Sequence, residues 1–509
     1  MPSALHAAYA TSREAGASAL VRSGPDIDQL TDILSAIGAS TSDGGTWFAL
    51  EEALLLCLDG PPPTWHEVID VFGLPVVLDE VHDMAARFIK VLGPKHQSQL
   101  SEVNATQITA LIEAADDRGE PRVIGAVGLL LAVDERRHET FDDIFAAALE
   151  FKIRPQRAYP VAVHNPRPQM AESATTRPGN IPSVMPQSFA HHARLGRTEH
   201  GIYGISLDWD LKGRLTPFRT LPNVRMATAH VHGTLNEDFN IVAGEDLSGI
   251  VANHGPKDIE GTLDAFKKLL GLAANAQVQH VVVPEYTVTD SMIGEIARTV
   301  GEISAETKAR TFRPMLVAAG SSLVGNTNQG TLIVSGPMGT CETKTYTKFT
   351  RARLGNATED MHSTTPEISV WRSGDMALAV LICRDAMDKT AIDLLGEAGV
   401  NILLVPSFSD RVTGLAGSAE RLSTDSQAWL AIGVAPRHIL DGGERFEAFF
   451  KGPFGGDKYP AQTYVPEAST STTPLPCLWV FDSKSDFSDV DSISVRERSS
   501  NKRVVSIVP

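Results

Sequence analysis

The sequence predicts two structured regions of different class: an all-helical domain over residues 26–152 and an α/β domain over residues 221–485. Before residue 152, apolar residues recur at three- and four-residue intervals between Gly, Pro and Asp/Ser/Thr punctuation, which is the period of a half-buried helix. After Val224, short apolar runs rich in β-branched residues alternate with amphipathic stretches, the texture of strands alternating with helices. Between the two, Pro155, Pro160, Pro166, Pro168, Pro178, Pro182 and Pro186 interrupt a stretch of Asn, Ser, Thr and His. Residues 153–220 therefore read as a linker or extended arm.

Taken in order, the Ala/Ser-rich residues 1–25 are expected to be a flexible N-terminus. Helices are expected at 27–37, 47–58, 65–72, 76–92, 98–115, 122–133 and 141–151. No strict fixed-period repeat links them, so a solenoid is not supported. Inside the arm, residues 201–209 have the composition of a strand. In the second domain, strands are expected at 224–231, 280–286, 315–319, 330–336, 376–382, 400–407, 429–436 and 478–481. Helices are expected at 258–273, 291–300, 386–396 and 416–431. Residues 486–509 are left as a C-terminal tail.

Composition narrows the function. The chain has 509 residues, 42% hydrophobic and 21% charged, which is ordinary for a soluble globular protein. Its net charge of −17 argues against general binding to nucleic acid or anionic membranes, both of which need a basic surface. The Arg- and His-rich stretch 154–197 is read as a solvated linker. The four cysteines, Cys57, Cys341, Cys383 and Cys477, include no CxxC pair, so neither a zinc knuckle nor a disulfide framework is suggested. A reducing cytoplasm is the natural compartment. No signal peptide is visible at the N-terminus. The longest apolar run, 123–133, is too short to span a membrane. No GxGxxG follows a strand and no P-loop occurs, so no cofactor is expected, and no metal.

Cys383 is the most informative residue. It ends the apolar run 376–382 and is followed at once by Arg384, Asp385 and a helical stretch. Such a strand–turn–helix elbow lifts a nucleophile out of a sheet and aims backbone N–H groups at the carbonyl oxygen under attack. A lone cysteine there would prove little, because free Cys is often a buried, inert residue. Two other segments change that. The run His280-Val281-Val282-Val283-Pro284 delivers Glu285 to a strand end, and Thr345-Tyr346-Thr347 delivers Lys348.

A Pro-Glu strand end (Pro284, Glu285), a Tyr-x-Lys after a glycine turn (Gly339, then Tyr346 and Lys348), an apolar strand ending in Cys-x-Asp (Cys383, Asp385) and a following apolar strand at 400–407 occur in that order. Over roughly residues 225–485 the chain resembles the nitrilase superfamily of carbon–nitrogen hydrolases. The resemblance implies a four-layer α-β-β-α sandwich, which periodicity alone does not identify. It also implies a Glu285-Lys348-Cys383 triad, an amidase-like activity on a small-molecule amide, carbamoyl compound or nitrile, and a homodimer or higher homo-oligomer formed through the sandwich. A second glutamate between the Lys and the Cys is usual in the family. The candidates are Glu359 and Glu367, and Glu359 is preferred.

These residue types suit the chemistry. Cys383 attacks, and Glu285 takes the thiol proton, passes it to the departing nitrogen and then activates water. Lys348 places positive charge beside the tetrahedral intermediate, and the backbone N–H of Arg384 is a candidate oxyanion donor. The Arg384 side chain is open to two readings: binding a substrate carboxylate or phosphate, or pairing with an acid in a dimer interface. Asp385 is expected to hold the elbow or the next helix's N-terminus. His230 and His232 read as satisfied strand histidines, and His191, His192 and His200 as solvated. Cys57 reads as core. Cys341, at the turn before Lys348, is near enough in sequence to lie by the site. The acidic run 482–491 reads as a solvated loop.

Three functions of different class follow. The first is the hydrolase, with the helical domain as a regulator or partner-binding module that gates it. The second is a catalytically silent scaffold or sensor–effector assembly protein, as in bacterial defence. The third is a glutaminase module supplying ammonia to a separate partner.

Overall fold

The computed structural model describes residues 75–92, 102–117, four positions between 125 and 132, short strands at 150–153, 158–160, 192–194 and 204–208, and most of 224–509. Within that last span, 244–247, 307–314, 437–447, 453–473, 484–494 and 499–503 are the longest stretches outside the description. The chain divides into two compact units, residues 1–198 with 397–399, and residues 199–396 with 400–509.

In the first unit, helices Pro75–Val91 and Glu102–Asp117 match two of the expected ones. Met84 and Phe88 on the first, Leu92 just past its end, and Ile108 and Ile112 on the second are buried, the spacing of one apolar helix face. Glu150–Ile153 is a strand, so the helix expected at 141–151 does not extend through its last residues. A β-branched Ile and an aromatic Phe in that tetrapeptide favour extended backbone. Cys57, His191, His200, the expected helices before residue 75 and most of 122–133 lie outside the described residues.

The second unit is built on two sheets. One contains β1 (Arg225–His230), β4 (His280–Glu285), β5 (Leu316–Val324), β6 (Thr327–Ser335), β7 (Cys341–Thr347) and β14 (Cys477–Asp482), with β15 (Val495–Arg498) and β16 (Val504–Ile507). Their order is β7-β6-β5-β4-β1-β14-β16-β15. β1, β4 and β5 run parallel, and β5, β6 and β7 form an antiparallel meander. The other sheet places Gly204–Asp208 beside β9 (Glu367–Ser373), then β10 (Met376–Val380), β11 (Ile402–Ser407), β12 (Trp429–Val434) and β13 (Ala448–Lys451). A small accessory sheet pairs β8 (Asn356–Glu359) in parallel with β3 (Ser248–Pro256), which pairs with β2 (Phe239–Ala243).

Alternation along the strands explains the layering. Met226, Val282, Leu316 and Trp479 of the first sheet meet Trp371, Leu378, Leu404 and Trp429 of the second in one core. Val281, Val283 and Val317 point the other way, onto α1 (Ile259–Asn275) and α2 (Asp290–Glu306). On the outer side of the second sheet, α4 (Val412–Ser426) packs on β12 and β13, after α3 (Lys389–Glu397). The layers are therefore helix, sheet, sheet, helix. Fully buried strands explain why β4, β11 and β12 read as unbroken apolar runs. Phe450 and Phe481 stack across the inter-sheet core at 5.7 Å. Close approach of the sheets requires Gly433, where an added Cβ would lie 3.2 Å from a Val282 methyl.

One boundary differs from expectation. The residues read as a C-terminal tail are strands: Leu478 pairs with Ile507 and Phe481 with Val504, and Val504, Val505 and Ile507 are buried. Their apolar side chains fill both faces of the first sheet, which a solvated tail could not do. Among the described residues, no helix is long and apolar enough to cross a membrane.

Candidate active site

The carboxyl ends of parallel strands from both sheets converge, β11 packing on β4. Open α/β architectures bind ligands at such strand ends. Glu285 is the last residue of β4 and lies opposite Ser321 of β5. Strict alternation would send it to the helix side with Val281 and Val283. The chain instead leaves the strand here, Tyr286 having a φ of 61°. Neighbouring Gly320 has φ 59°, and a Cβ on it would lie 2.5 Å from the Pro284 carbonyl oxygen. Lys348 follows β7, and its backbone N–H is tied to the Asn328 carbonyl at 2.9 Å.

Cys383 stands three residues beyond the last residue of its strand, Val380. It opens a 3-10 turn over Cys383–Met387 with φ 47°, a conformation that costs a non-glycine residue ~1–3 kcal/mol. The turn is closed by Asp385 N–H on the Ile382 carbonyl. Asp385 also accepts the backbone N–H groups of Phe349 and Thr350 at 3.2 and 2.8 Å. It thus clamps the loop after Lys348 to the elbow, which is the holding role expected of it. Burial pushes its carboxyl up to about 8, against the Lys348 charge and these hydrogen bonds.

Lys348, Glu285 and Glu359 share one buried site, exposed by 0, 1 and 6%. Lys348 Nζ donates to Glu285 Oε1 at 2.6 Å and to Glu359 Oε1 and Oε2 at 2.9 and 2.7 Å. All three ammonium hydrogens are thereby committed. Glu285 Oε2 accepts the Phe408 N–H at 3.0 Å, and the Glu285 charge acts on the neighbouring Cys383 thiol. Cys383 Sγ also lies 3.7 Å from the Phe408 carbonyl and 3.5 Å from Ser407 Oγ, which donates to it.

The two glutamates differ in environment. Burial raises Glu285 above the usual carboxylate range, the Lys348 charge only partly offsetting it and Glu359 adding to it. Burial pushes Glu359 up as well. The Lys348 charge and hydrogen bonds from Lys348, Tyr286 and the Ala352 N–H outweigh this and hold it below its ordinary value. Burial lowers Lys348, but Glu285 and Glu359 keep it well above the normal lysine range. Burial, then Glu285, push the Cys383 thiol up to about 12, with Lys348 opposing. Environments that drive two carboxyls apart assign one to carry a proton and the other to stay charged.

Of the expected residues, Glu285, Lys348, Cys383 and Glu359 come together. Glu367 is exposed at the start of β9, outside the group. The Arg384 side chain is also exposed, while its backbone N–H directly follows Cys383. Cys341 is not beside the site. It begins β7, the strand that ends before Lys348, which places it about 20 Å away at ~3.4 Å per residue, and it lines a surface depression with Ala297, Arg298 and Gly301. His230 is satisfied by Val434 and Thr228. His232 bonds Thr262 through Nε2, but its buried Nδ1 has no partner. Among the described residues, no group of three or more His, Cys, Asp or Glu could hold a metal.

Sequence reading missed Asn328, Tyr286, Ser407 and Phe408. Tyr286 OH donates to Glu359 Oε1, and Asn328 touches both glutamates. Tyr286 and Ser407 close expected strands and Phe408 adjoins one, and that is the signal they carried; Asn328 lies in a polar turn and carried none.

No protein-family model matches this chain, and no curated protein matches it in sequence. Among solved structures, an amidase from Nesterenkonia sp. is 14% identical, over 51% of this chain and 89% of its own, with a TM-score of 0.36. A cysteine-to-alanine variant of the Nesterenkonia amidase, described as from the nitrilase superfamily, is 14% identical over 51% and 90%, with a TM-score of 0.35. A double variant of that amidase in complex with acrylamide is 15% identical over 51% and 90%, also with a TM-score of 0.35.

Proposed function

We propose that residues 199–509 are a thiol-dependent carbon–nitrogen hydrolase that cleaves a non-peptide amide through a Cys383 thioester. The observation that carries this reading is the buried Glu285 carboxylate, which accepts the Lys348 ammonium and meets the Cys383 thiol at the backbone of Phe408, whose N–H bonds Glu285 and whose carbonyl takes the thiol hydrogen. A nucleophile needs a base within hydrogen-bond reach, and nothing in simple packing calls for a thiol there.

Glu285 Oε1 already accepts two donors, from Lys348 and Asn328. Oε2 accepts one backbone N–H and is the oxygen that takes the thiol proton. As that proton moves, the sulfur–carbon bond forms at the substrate carbonyl. Glu285 then returns the proton to the nitrogen, the C–N bond breaks, and ammonia or an amine leaves. Water adds to the thioester while giving Glu285 a proton. The C–S bond breaks, and the same proton restores the thiol. With its three hydrogens committed, Lys348 acts here as a charge. The direct oxyanion contact falls to the backbone N–H of Arg384. Glu359 stays ionised and holds Lys348.

The test is ammonia release from a panel of amides, nitriles, carbamoyl compounds and glutamine, comparing wild type with Cys383→Ala. Release that depends on Cys383 is expected. No release from any compound, with no iodoacetamide labelling of Cys383, would move the reading to a silent scaffold.

A further inference from the structure

Asn328 is the second residue of β6 and wholly buried. It enters the site twice. Its carbonyl accepts the Lys348 backbone N–H at 2.9 Å. Its side-chain Nδ2 lies 2.9 Å from Glu285 Oε1, 3.0 Å from Glu359 Oε1 and 3.1 Å from Tyr286 OH. Those neighbours dictate which way the amide points. Two are carboxylate oxygens, and the phenol gives its own hydrogen to Glu359, so only the NH2 end can face them. The Oδ1 end is buried with no partner, a cost that a purely structural amide would have no reason to bear.

Two carboxylates that both approach one nitrogen to about 3 Å repel each other. Lys348 compensates with charge, but its hydrogens are fully used. A second cation would hold both glutamates permanently ionised and leave neither able to carry a proton. A neutral amide draws both oxygens together without adding charge. We infer that Asn328 is a positioning residue that holds Glu285 and Glu359 at one shared donor, so that Glu285 stays ionised at rest yet free to accept the Cys383 proton. The inference rests on the acid/base reading of Glu285. The groups that face Glu285 are Lys348, Glu359, Cys383, Tyr286 and the Phe408 N–H, and the test separates Asn328 from them.

The test is the rate of Cys383 alkylation by iodoacetamide against pH, in the full chain, which needs no substrate. Wild type, Glu285→Gln, Asn328→Ala and Asn328→Asp are compared, with thermal melting of each. Losing the amide donor disfavours the Glu285 carboxylate. The acid limb of the rate should therefore move up by about one pH unit in Asn328→Ala, a roughly tenfold slower reaction below the limb. It should move further in Asn328→Asp, which keeps the size of the side chain and carries the test should the alanine variant not fold. Glu285→Gln should abolish the limb. If Glu285→Gln abolishes it but both Asn328 variants keep the wild-type limb, with rates scaled equally at every pH, Asn328 is structural only and the inference falls. If Glu285→Gln leaves the limb in place, the acid/base reading falls, and the inference with it.

Discussion

Glu285 and Lys348 leave one sheet as ionisable groups wholly withdrawn from water, whereas Cys383 and Ser407 leave the other as a neutral thiol and a hydroxyl. In the proposed mechanism the first sheet brings the acid/base equipment, with every donor of Lys348 assigned. The second brings the proposed reactive atom, held by two long contacts and a backbone conformation that costs energy. The difference teaches where precision is spent. A buried ion cluster must be fully satisfied or it destabilises the fold. A thiol tolerates loose contacts, and a loosely held sulfur keeps room to move onto a carbon. The sheets pack through the apolar core and are tied at the site by the Phe408 N–H on Glu285 and by the Asp385 clamp, so core and clamp together set the distance between the two groups.

The largest expected effect comes from deleting the reactive atom. Cys383→Ala should lower turnover by ~10⁴-fold or more, as removal of a nucleophile does elsewhere, while melting within a few degrees of wild type, because Sγ makes only weak contacts. A large drop in melting temperature would break the contrast, since the thiol would then be structural. Next come the two glutamates. Glu285→Gln should cost ~10²–10⁴-fold in rate, seen in single-turnover acylation. Glu359→Gln should cost less in rate and more in stability, as it strips the charge from the carboxylate that uses two oxygens on Lys348. Equal rate losses would erase the division between them.

A change far from the chemistry sharpens the same point. Trp371→Ala, in the inter-sheet core, should cost ~3–5 kcal/mol in denaturant unfolding. The rate should fall in the surviving folded protein as base and nucleophile drift apart. A full rate in that variant would show that the core does not set their spacing. The smallest effect is at the clamp. Asp385 is pushed up to about 8 by burial, so its protonated form fits the folded state. A raised carboxyl contributes stability that is complete below its unfolded value, ~3.9, and is lost as pH rises through about 8. Melting temperature should accordingly fall over that window, and Asp385→Asn should flatten the decline. An unchanged slope in the variant would mean that other groups set it.

Much of this was legible in the chain. Glu285 and Cys383 each end a run of apolar, extended residues, and Lys348 follows the polar extended segment Thr345-Tyr346-Thr347, so local pattern places them at strand ends, and motif order ties them together. Glu359 was distinguishable from Glu367 only by preference, because its partner Lys348 is found by folding β8 against β3. Asn328 carried no local mark. It sits in a polar turn, GNTN, that reads as solvent-facing, and only the antiparallel return of β6 beside β7 brings it under Lys348. The strand at 204–208 was visible, but the strands at 495–498 and 504–507 were not, since acidic and serine-rich residues around 482–491 obscure a short VVSIV run. Positive φ at Tyr286 and Cys383 was equally hidden: both are bulky residues where glycine would be the usual signal.

The sheet that holds Glu285 includes Val504–Ile507, whereas the last strand of the Cys383 sheet is Ala448–Lys451. Synthesis therefore finishes the two at different moments. A ribosome adding ~5–20 residues per second needs several seconds to cover the roughly 50 residues between those strands. During that interval the nucleophile's sheet has all its strands while the base's sheet has an unfilled edge. A site shared by both sheets is expected to assemble only once the strands at 495–498 and 504–507 have been added. Nascent chains halted before residue 495 should leave Cys383 slow to react with iodoacetamide, and quick labelling there would mean the site forms without those strands.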